Sequence, residues 1–229
     1  MLTSLLLPTL ALAGEIRFKA DPVLISTHKS TWAVYAGDSY SGMVTLDGTT
    51  TDSGGATLVV RYLAAGQDKP AWLEGVTVDQ AGTVVEVVRR EGRRMRTLSV
   101  DQGLVSDIVR EGQDPEPLSS RSHELDGPAF SAWLLPVLLP GARAAAGDTW
   151  QGELVDAQEL QVNEAVLTAS GKQEVGGGRK ALVATLQPAA GGALRYVYDA
   201  ETVTAIIDAE AGVQWVAAPR DQVKATHAR

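Results

Sequence analysis

Five arginines crowd one short stretch of a chain whose formal net charge is -8: Arg89, Arg90, Arg93, Arg94 and Arg96, in the run RREGRRMR. The planar arginine fork matches phosphate and carboxylate oxygens. Arg89, Arg90, Arg93 and Arg94 are therefore candidates for docking a phosphorylated lipid headgroup or an acidic envelope partner. The competing reading is an exposed, salt-screened hairpin whose charges also discourage edge-to-edge pairing. With Glu91 and Gly92 as a two-residue loop, Arg90 would face Arg93 and Arg89 would face Arg94. Like charges placed opposite one another cost about 0.2–1 kcal/mol per pair. The tip then requires solvent, carboxylates or an anion.

The second candidate group is aromatic. Five Trp and five Tyr against two Phe favour half-wet positions, where an indole or phenol keeps one edge in water. Trp133, Phe130, Tyr62, Trp72 and Trp150 are the expected lining of an apolar ligand cleft, the alternative being a packed strand core with hydroxyls at its rim.

Other chemistry has little support. The three histidines, His28, His123 and His227, fall in no metal-ligand spacing. Ser119 to Asp126 (SSRSHELD) brings serine, histidine and acids close in sequence, but no Gly-x-Ser-x-Gly elbow accompanies it. The run VGGGRK at 175–180 lacks the phosphate-loop spacing and reads as a hairpin turn. With no cysteine, the chain offers no disulfide framework, thiolate metal site or thiol nucleophile. No cofactor or metal is expected. The acidic balance argues against nucleic acid as a partner.

The elements that must position these residues are mostly strands. Apolar blocks of four to eight residues with β-branched and aromatic content recur at 56–63 (ATLVVRYL), 84–88 (VVEVV), 181–186 (ALVATL), 194–198 (LRYVY) and 213–217 (VQWVA). Turn signals separate them, among them Asp47-Gly48, Ser53-Gly54-Gly55, Ala81-Gly82, Glu91-Gly92, Gly191-Gly192 and Ala211-Gly212. This cadence predicts an all-β fold: one antiparallel, strongly curled sheet, with a single short helix over its concave face. The helix is expected over residues 128–139, capped by Asp126, with Phe130, Trp133, Leu134, Val137 and Leu138 on one stripe. Residues 111–127, polar and proline-bearing, read as a loop.

Residues 1–13 (MLTSLLLPTLALA) carry no charge and end in Ala-Leu-Ala, a pattern signal peptidase accepts. The segment is too short to span a bilayer. Cleavage before Gly14 is expected, leaving 14–229 as one β-rich domain, not membrane-spanning, in the periplasm or secreted. A core-packed N-terminal segment is the alternative. Within the domain, GDSYSG at 37–42 and GDTWQG at 147–152 share a grammar of Gly, Asp, hydroxyl, aromatic, any residue, Gly. This suggests a duplicated meander with halves 23–110 and 128–225.

The short helical segment at 130–139, the Gly-Asp-aromatic strand start at 147–150 and the glycine-tipped hairpin at 176–186 carry a resemblance. The layout resembles exported β-rich proteins related to the lipoprotein carriers LolA and LolB, in particular uncharacterised periplasmic members. That resemblance implies a half-barrel with a hydrophobic cavity that receives an acyl chain or an envelope protein. The expected function is therefore non-enzymatic binding of a hydrophobic or lipid-like ligand, or of an envelope partner, in a concave cleft. A structural or adaptor protein with a solid core, and a hydrolase using loop carboxylates, remain alternatives.

Overall fold

The computed structural model describes residues 14–227, apart from 17, 19, 113, 157–160 and 176–177. The expected signal segment 1–13 and the first two glycines of the GGG turn lie outside the described residues. A short helix α1 (Pro22–Thr27) precedes eight strands: β1 (Lys29–Ala36), β2 (Ser39–Thr50), β3 (Ala56–Ala64), β4 (Trp72–Val78), β5 (Val84–Glu91), β6 (Arg94–Asp101), β7 (Leu104–Glu111) and β8 (Ser119–Glu124). The second half contributes β9 (Ala129–Phe130), a 3-10 turn (Ala132–Leu134), α2 (Leu135–Leu138), β10 (Thr149–Asp156), β11 (Gln161–Glu174), β12 (Lys180–Pro188), β13 (Leu194–Tyr198), β14 (Val203–Asp208), β15 (Val213–Ala217) and the helix α3 (Arg220–His227).

These strands form one sheet in the order β8-β7-β6-β5-β4-β3-β2-β1-β15-β14-β13-β12-β11-β10-β9. The chain starts in the middle at β1, meanders out to one edge, crosses to the other edge and meanders back. Its curl follows from one connection. Edges β8 and β9 are joined by residues 125–128 alone, and such a link spans at most roughly 18 Å. Laid flat, fifteen strands about 4.8 Å apart would separate those edges by roughly 67 Å. The sheet must therefore roll until its edges nearly meet. It stays unclosed, because β8 and β9 do not pair. Glu153 on β10 ties the seam instead, its Oε1 accepting the Asp126 amide at 2.9 Å.

The interior holds the core. Alternate residues such as Trp32 and Val34, Val44 and Leu46, and Leu58 and Val60 face inward with Leu134, Leu135, Leu138 and Leu139 of the plug that fills the roll. A smaller outer cluster forms where Val223 of α3 covers Ala33 and Met43, with Tyr35 and Tyr40 beside them. Tyr40 and Trp150, equivalent in the two Gly-Asp phrases, are each the second residue of a strand and half-buried. Tyr40 packs in the outer cluster and Trp150 against the inner core.

Three local expectations are corrected. The segment 111–127 is not all loop. It contains β8, whose polar residues lie on an exposed edge, so no apolar alternation betrays the strand. The helix over 128–139 is broken: Ala129 and Phe130 pair in parallel with Glu153 and Leu154, an exception to the antiparallel sheet. Helical backbone begins only after Ser131, whose hydroxyl accepts the Trp133 amide, and α2 is a single turn with Pro136 near its start. Asp47-Gly48 is not a turn but lies inside β2.

His28 ends α1, its amide donating to Ile25 O. Burial holds its pKa below the ordinary 6.5, partly opposed by the nearby Asp47 charge. As pH falls below about 6.5 the unfolded chain takes up a proton that the folded chain resists, so stability should decline. A His28→Asn variant should lose that part of the decline, read as unfolding midpoint against pH. An unchanged slope would remove His28 from the account.

Candidate functional site

Strand alternation splits the arginine run between two faces. The turn consists of Gly92 and Arg93, one residue later than expected, so Arg89 faces Arg96, Arg90 faces Met95 and Glu91 faces Arg94. Gly92 adopts a left-handed φ of +57°, which suits a tight hairpin loop. Arg90, Arg93 and Arg94 are exposed at the tip, whereas Arg89 is only 8% exposed and points into the roll. There its Nη1 donates to Glu74 Oε2 at 3.1 Å, directly across the β4–β5 ladder. Its guanidinium carbon lies 4.4 Å from the centre of the Trp72 ring. The inner row continues with Arg96 beside Asp107 at 3.4 Å. Pairing explains how charges persist inside, since a buried ion alone would be strongly disfavoured.

The five aromatic candidates fall into two groups. Tyr62 stacks on Trp72 at 5.7 Å, and Trp72 meets Trp133 at 5.8 Å. The Tyr62 hydroxyl donates to Ser41 O, which fixes one end of this row. Phe130 and Trp150 pack together at 4.8 Å, joined by Phe18 at 5.6 Å from Phe130. The second group sits where the N-terminal segment meets the sheet, the Ile16 amide donating to Thr149 O.

Trp133 also borders a half-open cavity of about 240 Å³ between the plug and the inner face of the sheet. Its walls include Glu74 and Arg89 at one side and Leu154, Tyr196, Ile206 and Trp215 at the other. The volume is somewhat below the roughly 300 Å³ at which ligand clefts usually begin. Tyr196 is fully buried, its hydroxyl 3.5 Å from Ala132 O, and burial pushes its pKa far above the ordinary phenol value. Of the five predicted aromatics only Trp133 lines this cavity, with Trp72 directly behind it. Sequence reasoning missed Glu74, Tyr196 and Trp215 as wall residues. The available signal was Glu74 alone in the strand WLEGVTV, an inward charge that demands a partner.

The remaining candidates are dispersed. Ser122 and His123 are neighbours on β8 and therefore point to opposite faces, so they make no catalytic pair. His227 Nε2 donates to Gln67 O at 2.8 Å and its Nδ1 lies 3.2 Å from Tyr40 Oη, docking α3 on the outer face. No cluster of three His, Asp or Glu suited to a metal occurs among the described residues. Nor is any described helix long and apolar enough to cross a membrane.

No family model matches the chain, and no curated protein matches it. Among solved structures it is similar to a β-barrel-like protein of the domain of unknown function DUF1849 from Brucella abortus. The TM-score is 0.55 at 13% sequence identity, over 88% of this chain and 96% of that one. At that identity the likeness is one of fold, and it makes this chain a β-barrel-like domain built from a single unclosed sheet.

Proposed function

We propose that the chain is a non-enzymatic binding domain that receives a small hydrophobic or amphipathic ligand, such as an acyl chain, inside its rolled sheet. The observation that carries this reading is the half-open cavity beside Trp133, with Leu154, Ile206 and Trp215 on one side, Asp208 next to them, and the Glu74–Arg89 pair on the other. An apolar chain would lie against the indoles while a polar end reaches the ion pair. The resemblance to lipoprotein carriers points the same way. Export of the mature chain from Gly14 belongs to this proposal and rests on residues 1–13 alone. N-terminal sequencing of envelope or secreted material should read Gly14 first, and an intact Met1 in the cytoplasm would overturn it.

The cleft is tested by fluorescence. Titrating fatty acids of increasing length should shift indole emission in the wild type and much less in Trp133→Phe. Each added methylene that enters contributes about 0.8 kcal/mol, so affinity should climb steeply until the cavity is full. Emission that ignores every chain length would leave a solid-cored structural protein as the better account.

A further inference from the structure

The outer face carries a second recess, bordered by threonines and two cationic side chains as well as by Ala217, Ala218 and Pro219. It has a volume of about 560 Å³ and lies where β1, β2 and β14 meet the start of α3. On its floor Thr31 and Thr45 face each other across the β1–β2 ladder. They are 8% and 6% exposed, and neither hydroxyl has a hydrogen-bond partner among the described residues. Both hydroxyls open onto the recess, where each is a donor available to an oxyanion that enters it. Lys29 and Arg220 stand at the rim, and Asp47, the acid among the lining residues, is paired with Arg61. The recess is therefore cationic in a chain of net charge -8.

The start of α3 adds donors. The Gln222 and Val223 amides already donate to Pro219 O, which leaves the Arg220 and Asp221 amides as the free ones of the first turn. Asp221 itself is acidic and lies in this turn, but it is exposed and outside the recess lining. Along the far wall Thr202 and Thr204 donate to Val203 O and Val197 O. Their own hydrogens are thereby used, and their oxygens are left as acceptors for hydroxyl groups.

We infer that this recess binds a phosphate ester of a small polyhydroxylated molecule. The oxyanion would accept from Thr31, Thr45 and the first amides of α3 between Lys29 and Arg220. The hydroxyl-bearing part would occupy the wall at Thr202 and Thr204. This site shares no lining residue with the cleft beside Trp133, so either can fail without the other.

The test is isothermal titration of the full chain at low salt with glucose 6-phosphate, inorganic phosphate and glucose. Glucose 6-phosphate should bind most tightly, phosphate more weakly and glucose not measurably. Thr31→Val with Thr45→Val keeps side-chain shape and should weaken glucose 6-phosphate by about tenfold or more, because hydrogen bonds to charged groups are among the stronger ones. Arg220→Gln, an exposed change that leaves the fold alone, should weaken both phosphates and flatten the salt dependence. Absence of glucose 6-phosphate binding, or equal binding by the wild type and Arg220→Gln, overturns the proposal. Binding confined to phosphatidylglycerol vesicles also overturns it, in favour of a membrane surface.

Discussion

Replacing Glu74 by alanine should destabilise the fold by about 3–5 kcal/mol, the cost of leaving a charged partner inside without its counterion. Glu74 is 3% exposed and Arg89 8%, and Arg89 has Trp72 beneath it rather than water. Removing both charges together is a different experiment. Glu74→Met with Arg89→Met replaces the pair by apolar groups of similar length, and such replacements are often neutral or stabilising. The double variant should therefore recover most of the loss, so the two single costs would be far from additive. Urea unfolding of the two single variants and the double measures this directly. Single losses below about 1 kcal/mol, the range of exposed pairs, would mean that water reaches the site. The same variants bear on the cleft, since an amphipathic ligand should lose its preference for a charged end when the pair is gone.

The second large effect is expected at Gly48. A Cβ there would lie 1.7 Å from the carbonyl oxygen of Ile25, so α1 could not stay seated on β2. The Gly48 amide also donates to His28 O at 2.8 Å, which holds the end of α1 against the strand. Ile25 is 0% exposed and is the buried anchor of α1. Gly48→Ala should therefore add the loss of that anchor to the overpacking, about 3–5 kcal/mol in all. Gly37 is the control. It has a left-handed φ of +58° but nothing within 4 Å of its missing Cβ, so Gly37→Ala should cost only about 1–2 kcal/mol of backbone strain. Thermal unfolding compares the two. A smaller loss at Gly48 than at Gly37 would show that α1 moves aside freely.

Gly48 also shows what local signals can and cannot convey. Beside Asp47 it looks like a turn, because an Asp-Gly pair favours one. In the fold it occupies mid-strand, where only the absence of a side chain lets α1 approach. Nothing local distinguishes the two uses. Strand β8 was missed for a related reason. Alternation is visible only when one face is buried, and at this edge nearly every residue of SSRSHE is in water.

The sequence by itself determined the all-β class, since apolar blocks and turn residues repeat at strand length and each strand needs little more than that. It also determined that the plug segment is apolar and that Trp133 and Phe130 face the core. Tertiary structure decided the rest. The expected five-residue aromatic cleft became two separate stacks, because β4 and β10 lie far apart in strand order although their indoles are chemically alike. The arginine run became an inner row of Arg89 and Arg96 and an exposed tip, because a turn one residue later exchanges which side chains meet. What carries Arg89 inside is Glu74, fifteen residues away, on a strand whose register is set by the whole sheet. Pairing between strands is a non-local choice made by the packing of all their faces at once. A local run of residues specifies which side chains a strand can bury, and only the assembled sheet decides what they are buried against.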